Sequence, residues 1–400
     1  MMKRRDILKG VAALPAFGAG AVAEAHQAPP ARDYFSELGL RTFINAAGNY
    51  TSMTASLMPP EVMAAIQSSA QKYAMLDDVQ DKVGEKIAEL CKAEAAMVTA
   101  GCWSALVLGM AGVLTGMDGK KVAALPFPEA AGMKSEVILQ KSHANGYHLA
   151  LANTGIKFVL VETKEELARA ISEKTAMLWF LNREGPVGQI KDEEWVALGK
   201  KHGIPTMIDI AADVPPVENL WKFNQMGFDL VCISGGKALL GPQSAGILMG
   251  KKDLIAAARL SAPPRSGIGR GHKVNKEEII GMYAALERYV KHDHAKDWKM
   301  WEARIAHIKN QLGGLKGVYT EDILPPVANH TPSLKIGWDP SAVKLTREEM
   351  GEKLRQGTPS IETIAWEEPD SIRITVFMLQ PGQEKIVAGR IREELARASV

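Results

Sequence analysis

Five short runs in the middle of the chain are apolar almost throughout, and they constrain the fold more than any other feature. They are residues 137–139, 158–161, 177–180, 206–208 and 230–233. Runs of this length without polar alternation are typical of strands buried on both faces, and helix-period stretches separate most of them. The pattern therefore predicts an α/β fold with a mostly parallel sheet that is covered by helices.

The pattern changes along the chain in a way that indicates more than one domain. A break falls near residues 261–264, a long helical stretch runs from Lys276 to about Leu315, and shorter strand and helix patterns follow Pro325 and Pro326. We expect a smaller α+β domain there. The expected divisions are a signal segment at residues 1–25, an N-terminal arm at 26–60, a large domain at 61–262, an interdomain helical region at 263–315 and a small C-terminal domain at 316–400.

Charge and cysteine content exclude several classes of protein. Forty-eight Lys and Arg residues against 46 Asp and Glu residues give a net charge of +2, which is too weak to attract nucleic acid or an anionic membrane. The three cysteines, Cys91, Cys102 and Cys232, lie far apart in apolar surroundings. We expect buried thiols, with neither a disulfide framework nor a metal site.

The N-terminus has the composition of an export signal. A basic head is followed by an apolar stretch at residues 10–22 and by Ala23-Glu24-Ala25, a small-x-small cleavage site. The apolar stretch is too short to span a bilayer as a stable anchor. The Arg4-Arg5 pair resembles a twin-arginine signal, which implies transient contact with the Tat translocase and a bacterial periplasmic or exported location.

The most informative segment follows the last of the five apolar runs. The strand leads into Ser234-Gly235-Gly236-Lys237, so that one lysine lies at a strand end beside backbone that has little side-chain bulk. A lysine amine partly removed from water can attack an aldehyde. Asp209, which follows the run at 206–208, places a carboxylate at another strand end.

Residues 234–246 have the pattern Ser-x-x-Lys-x-x-x-Gly-Pro-Gln-x-x-Gly. This pattern resembles the Schiff-base lysine segment of pyridoxal-phosphate enzymes of fold type I, within class V aminotransferases, and most closely their branch of selenocysteine synthases and D-glucosaminate-6-phosphate ammonia-lyases. The resemblance implies a seven-stranded large domain, pyridoxal 5'-phosphate as the cofactor and Lys237 as its covalent attachment. It also implies that Asp209 pairs with the pyridine nitrogen, with Asp213 on the same loop as the alternative.

The resemblance extends to other segments that contribute to cofactor binding. The turn at residues 99–104 is similar to the family's phosphate-binding turn, where helix N–H groups favour an anion. In the family, a histidine stacks on the cofactor ring and an asparagine lies near the cofactor oxygen or the substrate carboxylate. The cofactor-binding residues that the resemblance implies, besides Lys237 and Asp209, are Gly101, Cys102, Trp103, His143, Asn182 and Ser234.

Four further residues are implied to bind substrate or to complete the site. Arg373, in an Arg-x-Thr pattern, is similar to the arginine that binds a substrate carboxylate with a bidentate fork. Asn45 lies in an Ile-Asn-Ala-x-Gly segment that resembles one near the family's active site. Arg270 and Lys273 precede a long helix and, in related dimers, such residues reach the neighbouring subunit's phosphate. The resemblance thus implies a homodimer or a larger homo-oligomer.

Departures from the family pattern exclude some of the activities found in the family. Cysteine desulfurases have a histidine before the lysine and a catalytic cysteine on a late loop, whereas this chain has Gly236 and no cysteine after Cys232. A tRNA substrate requires a basic surface, which is lacking. We expect an exported enzyme that acts on a small amino acid or amino-sugar acid through a quinonoid intermediate, by α,β-elimination of the ammonia-lyase type. Transamination, racemisation and non-catalytic cofactor binding stay open.

Overall fold

A computed structural model describes residues 32–364 and 368–400, which fall into two units, one up to Thr42 and one from Phe43 to Val400. The expected signal segment at residues 1–25 lies outside the described residues. The described part of the first unit contains helix α1 (Tyr34–Glu37), where the Asp33 side chain accepts hydrogen bonds from the backbone N–H groups of Phe35 and Ser36. All further description concerns the second unit.

The second unit alternates strands and helices through most of its length. Its strands are β1 (Phe43–Asn45), β2 (Ala95–Thr99), β3 (Glu136–Gln140), β4 (Lys157–Val161), β5 (Thr175–Leu181), β6 (Thr206–Asp209), β7 (Leu230–Ser234), β8 (Gly246–Gly250), β9 (Val318–Ile323), β10 (Ser333–Trp338), β11 (Ser360–Glu362) and β12 (Ser371–Thr375). Its helices are α2 (Pro60–Ala70), α3 (Leu76–Cys91), α4 (Gly101–Thr115), α5 (Gly119–Ala124), α6 (Leu149–Ala152), α7 (Lys164–Ala170), α8 (Asp192–His202), α9 (Asn219–Met226), α10 (Lys252–Leu260), α11 (Lys276–Lys291), α12 (His294–Leu312), α13 (Arg347–Gln356) and α14 (Gln383–Arg397). Within the described ranges, no helix combines the length and the apolar character that crossing a bilayer requires.

Seven strands form the main sheet in the order β2-β8-β7-β6-β5-β3-β4. Neighbours from β7 to β4 pair in parallel, whereas β8 is antiparallel to both β7 and β2. The five apolar runs all lie in strands of this sheet, so the predicted mostly parallel α/β fold is confirmed. Because β2, β6 and β7 point the same way, their carboxyl ends meet at one edge, where ligands bind in open α/β sheets.

Both faces of this sheet are covered, which explains why its central strands lack polar alternation. All seven residues of β5 are buried. Phe180 and Val231 pack into one core with α3 and α11, while Trp179 and Cys232 pack into a second core with α4. Side chains alternate between faces along a strand, and here each face meets an apolar helix layer. The polar side chains that follow these strands can therefore gather only beyond the strand ends.

The C-terminal residues build a separate core on an antiparallel sheet in the order β12-β10-β9. The long helical stretch expected from Lys276 to about Leu315 consists of two helices, because α11 ends at Lys291 and α12 begins at His294. Asp293 caps α12 by accepting a hydrogen bond from the N–H of Lys296 at 3.0 Å. The break separates α11, which packs in the core of the main sheet, from α12, which packs in the C-terminal core.

Strands β9 and β11 are among those that the sequence analysis did not predict. Strand β9 is the edge of the small sheet and alternates between exposed and half-buried residues, so it contains no apolar run. Strand β11 has three residues and pairs in parallel with β1, with Phe43 opposite Ser360. This pairing joins the start of the second unit to its C-terminal part and brings the residues after Asn45 towards the main sheet.

Candidate active site

A cavity of about 700 Å³ lies at the carboxyl ends of β2, β6 and β7. Its walls are formed by parts of the segments 47–51, 100–106, 209–213, 234–244, 325–333 and 373–377, together with Tyr147, Leu181, Arg183 and Ile364. The main sheet, the residues after β1 and the C-terminal part of the chain all contribute. The cavity therefore combines side chains that are more than 300 positions apart in the sequence.

Lys237 lines this cavity and is held by a tight turn after β7. The Leu240 N–H donates to the Lys237 carbonyl at 2.9 Å, and Leu240 itself has a left-handed backbone conformation with φ of +57°. A Cβ atom at Gly236 would lie 2.4 Å from the Cα of Gln243. No side chain fits there, which explains why this chain has glycine where desulfurases have histidine.

Asp209 ends β6 opposite Cys232 of β7 and reaches the same cavity. Its Oδ1 accepts a hydrogen bond from the Ala211 N–H at 2.9 Å and lies 3.7 Å from the Cys102 sulfur. Burial raises the pKa of Asp209, whereas the Ala211 N–H and the charge of Lys237 act in the opposite direction. A carboxylate this desolvated is ionised only beside a cation, and a protonated pyridine ring is such a cation. The donor set therefore fits pyridoxal phosphate.

Helix α4 begins at the cavity with Gly101, Cys102 and Trp103. Gly101 has φ of +78°, and the cap residue Ala100 brings no side-chain acceptor to the first N–H groups. The positive end of this buried helix favours a phosphate group at the cavity wall. Ser234, at the end of β7, lines the same cavity. Cys102 is a neutral thiol, because burial and the charge of Asp209 raise its pKa well above the ordinary value.

The C-terminal part of the chain contributes Arg373 and Thr375, which lie two positions apart on β12 and both line the cavity. Alternate residues of a strand point to the same face. The Thr375 hydroxyl is buried and has no hydrogen-bond partner among the described residues. A cationic guanidinium beside a free hydroxyl suits a carboxylate group.

Asp213 is a second buried carboxyl group on this wall. Its Oδ2 accepts a hydrogen bond from the Asn182 side-chain amide at 2.9 Å. Burial is the main cause that raises the pKa of Asp213 to about 7, and the negative charge of Asp209 adds to it. Asn182 does not line the cavity itself but lines a smaller neighbouring cavity of about 380 Å³, which also has Asp213 in its wall.

Besides Asn182, the structure leaves four more of the expected residues outside the cavity wall, and His143 is the clearest correction. His143 is fully buried, its Nδ1 accepts a hydrogen bond from the Leu181 N–H at 3.2 Å, and its ring packs edge-on against Phe180. It supports the end of β5 and cannot stack on a ring bound in the cavity. A histidine after a strand is compatible with either role, so the sequence pattern alone could not distinguish them.

Asn45, Arg270 and Lys273 also lie outside the cavity wall. The Asn45 side chain accepts hydrogen bonds from the Ala47 and Gly48 N–H groups at 3.0 and 2.9 Å, and so shapes the turn that lines the cavity. Arg270 and Lys273 are exposed. Of the three expected buried thiols, Cys91 and Cys232 are buried, whereas Cys102 is half-buried at the cavity.

The sequence analysis missed the loop between β9 and β10, which follows the Pro325-Pro326 pair. Asn329 lines the cavity, donates its backbone N–H to the Ala212 carbonyl at 2.7 Å and accepts a hydrogen bond from the Asn49 side chain at 3.0 Å. Ala328 and Asn329 both have left-handed backbone conformations. Two adjacent prolines mark a loop, but they do not show which cavity the loop faces.

Comparisons with known proteins agree with this fold. The family model "Aminotransferase class-V" matches residues 56–334. A D-glucosaminate-6-phosphate ammonia lyase from Salmonella typhimurium (strain 14028s / SGSC 2262) is 26% identical over 375 residues, covering 90% of this chain and 97% of the relative. A 5'-C-glycyluridine monooxygenase-decarboxylase from a Streptomyces species is also 26% identical over 375 residues, covering 90% of this chain and 92% of the relative.

A solved structure of D-glucosaminate-6-phosphate ammonia-lyase superposes with a TM-score of 0.80 at 24% identity, covering 92% of this chain and all of the other. The fold is that of fold type I enzymes, and the chain is an enzyme that depends on pyridoxal phosphate and belongs among lyases and transferases. The family match spans more than half of the chain. The protein therefore belongs to the class V aminotransferase family.

Protonation of His143 should destabilise the fold in acid. Burial lowers the pKa of His143 from 6.5 to about 4, so the unfolded chain binds a proton that the folded chain does not. Its contribution to stability is complete above pH 6.5 and is lost as the pH falls towards 4. The loss in the free energy of unfolding approaches about 3 kcal/mol, since one pKa unit corresponds to roughly 1.4 kcal/mol.

The variant His143→Asn keeps an oxygen that can accept from the Leu181 N–H but does not titrate. We expect its unfolding free energy to fall less than that of the wild type between pH 6.5 and 4, as measured by urea unfolding of the cofactor-free protein. The exposed His202→Asn serves as the control. Equal acid losses in the wild type and His143→Asn would contradict this role.

Proposed function

We propose that this enzyme eliminates ammonia from an α-amino acid whose side chain is polyhydroxylated, as in an amino-sugar acid. The single observation that carries the proposal is the meeting of Lys237, Asp209 and Arg373 on one cavity wall. A lysine amine, a buried carboxyl group and a cation for a carboxylate are what pyridoxal-phosphate chemistry on an amino acid requires.

Each part of the cavity has a defined task in this proposal. The cofactor supplies an electron sink for charge that develops at the α-carbon. Lys237 would hold the cofactor aldehyde and, once freed from it, would accept the α-proton. Asp209 would keep the ring nitrogen protonated through charge pairing, while the start of α4 and Ser234 would hold the phosphate. Arg373 and the Thr375 hydroxyl bind the substrate carboxylate.

The rest of the wall supports a side chain with several hydroxyl groups. Polar side chains from three separate segments line it, namely Asn49, Thr51, Gln243, Ser244, Asn329, Thr331 and Ser333. A wall with this many amide and hydroxyl groups can hydrogen-bond a ligand rich in hydroxyl groups, so it suits such a ligand better than an apolar one. The names of the two relatives both describe an amino acid joined to a sugar-derived chain.

Oxidative decarboxylation is the second candidate, because the Streptomyces relative is as similar as the ammonia lyase. The specific observation in its favour is that aromatic rings of Trp103 and Tyr147 line the cavity, where they can stack on a base. Transamination and racemisation use the same α-proton step on Lys237. The released products separate these reactions.

The test is to incubate the protein and pyridoxal phosphate with polyhydroxylated amino acids of both configurations, with and without a terminal phosphate. We expect ammonia and a keto acid in equal amounts, without oxygen uptake or carbon dioxide release. Borohydride reduction should fix the cofactor on the peptide that contains Lys237, and Lys237→Ala should lose this label. Asp209→Asn should keep the label and lose at least about a hundredfold in turnover. Oxygen uptake with carbon dioxide release would favour the second candidate, and an unlabelled Lys237 would refute the assignment.

Export is a separate proposal that rests on the sequence alone. Arg4 and Arg5, the apolar stretch and the small-x-small site together suit a Tat signal, and a translocase for folded proteins suits a cofactor that is inserted before export. In a bacterial host, the wild type should appear in the periplasm in a shortened form. Arg4→Lys combined with Arg5→Lys should remain cytoplasmic and uncleaved, whereas Lys3→Gln should still be exported. Equal export of all three would refute the proposal.

We also propose that the active site is completed by a second copy of the chain. Arg270 and Lys273 are exposed cations that do not line the cavity of their own chain, which suits a role at a neighbouring subunit's phosphate. Arg270→Ala combined with Lys273→Ala should then be inactive, and so should Lys237→Ala. Mixed dimers of these two variants should regain activity, because one of their sites has every wild-type residue.

The control for this mixing experiment is the pair Lys237→Ala and Asp209→Asn, whose residues belong to the same cavity of one chain. Mixed dimers of that pair contain no complete site and should remain inactive. Full activity of the Arg270→Ala, Lys273→Ala double variant, or a monomeric wild type in light scattering, would refute the shared site.

A further inference from the structure

The second buried carboxyl group, Asp213, has no task in the chemistry described so far. It lies on the wall of the same cavity as Lys237 and Asp209. Three hydrogen bonds fix its position. Its Oδ2 accepts from the Asn182 side chain at 2.9 Å, its carbonyl accepts from the Asn219 side chain at 2.6 Å, and its N–H donates to the Ile210 carbonyl at 3.1 Å. A side chain held in this way is oriented before any ligand arrives.

Burial is the main cause that favours a protonated carboxyl group at Asp213. The negative charge of Asp209 adds to this effect, while Asn182, Lys237 and the backbone of Ala328 act in the opposite direction. On the side of the smaller cavity, the wall that contains Asp213 also contains the charged or titratable residues Lys191, Asp192, Lys222 and His330. When two carboxyl groups share a desolvated site and one must be anionic, the other keeps its proton near neutral pH.

This difference gives the two carboxyl groups separate chemical capacities. Asp209 in its anionic form pairs with a ring cation. Asp213 in its neutral form has an O–H group on the wall of the cavity that also contains Lys237, and a carboxylic acid O–H is a proton donor. The pKa of about 7 lies near the working pH, where proton transfer by a general acid is most efficient.

We propose that Asp213 is the catalytic acid that protonates the hydroxyl group leaving from the β-carbon of the substrate. The inference rests on the proposed elimination and names the group that completes it. A hydroxide ion is a poor leaving group, so breaking the C–O bond requires a proton donor at that oxygen, and Lys237 is occupied with the α-proton.

The step balances in protons and electrons. Lys237 takes the proton from the α-carbon, and the electron pair of that bond forms the new double bond between the α- and β-carbons. The pair of the C–O bond leaves with the oxygen, which receives the Asp213 proton and departs as water. Hydrolysis of the released enamine consumes one water and yields the keto acid and ammonia. Proton transfer from Lys237 and from solvent then returns Lys237 to its neutral form and Asp213 to its protonated form.

The experiment compares two leaving groups, because only one of them needs a proton. The wild type, Asp213→Asn and Asn182→Ala are given a β-hydroxy amino acid that the wild type uses, and a β-chloro amino acid, from which chloride departs unprotonated. We expect Asp213→Asn to lose about a hundredfold or more in ammonia release from the hydroxy substrate. It should stay within a few-fold of the wild type on the chloro substrate. Exchange of the α-proton in heavy water should also persist, since that step belongs to Lys237.

A second measurement does not depend on turnover. In the wild type with pyridoxal phosphate bound, near pH 6, the ring cation keeps Asp209 anionic. Infrared spectroscopy should then show the carbonyl band of a protonated carboxylic acid at Asp213, and Asp213→Asn should lack it. Circular dichroism and retention of bound cofactor verify that the variant folds. Asn182→Ala leaves the acid in place without its partner, so we expect a smaller loss that is again confined to the hydroxy substrate.

The outcomes separate the two levels of inference. If Asp213→Asn loses ammonia release equally from both substrates, or from neither, Asp213 is not the acid, although the proposed elimination stands. If the wild type releases ammonia from neither substrate, the proposed function fails, and the role of Asp213 fails with it. A missing infrared band in the wild type would overturn the protonated state on which the step depends.

Discussion

A carboxylate buried at the end of a parallel strand is stable as an anion only when a cation lies beside it. Asp209 is in this position, and the arrangement of the cavity follows from it. The neighbouring strand β7 leads to Lys237, and β2, which points the same way, leads to the positive end of α4. The cavity between them admits a cationic ring with a phosphate group. The electrostatics of one residue thus connect the sheet topology to the choice of cofactor.

The main sheet makes this arrangement possible because it is covered on both faces. A strand such as β5 is buried at all seven positions, so polar groups are excluded from its length and can lie only beyond its end. The C-terminal part then closes the cavity by contributing Arg373 and the loop with Asn329. Since α11 and α12 belong to different cores on either side of a break at residues 292–293, each core packs its own helix.

Much of the site could be predicted because its signals are local. Lys237 follows a buried strand and a Gly-Gly pair, Asp209 follows another strand, and Gly101 lies between a strand and a helix. His143 was assigned a place at the cofactor on the same kind of evidence, yet it is buried behind β5. One ring after a strand can turn towards the cavity or towards the core, and only packing against Phe180 decides which.

The sequence by itself determined the class of fold, because apolar periodicity acts over neighbouring residues. It also indicated a lysine and an aspartate at strand ends, whose roles are those that the resemblance to the family implies. The tertiary structure alone decided which distant side chains share a cavity. Burial and the charge of Asp209 raise the pKa of Asp213, and contacts with residues 49 and 212 hold the loop that contains Asn329. Burial and charge proximity are properties of the folded chain, so no local pattern encodes them.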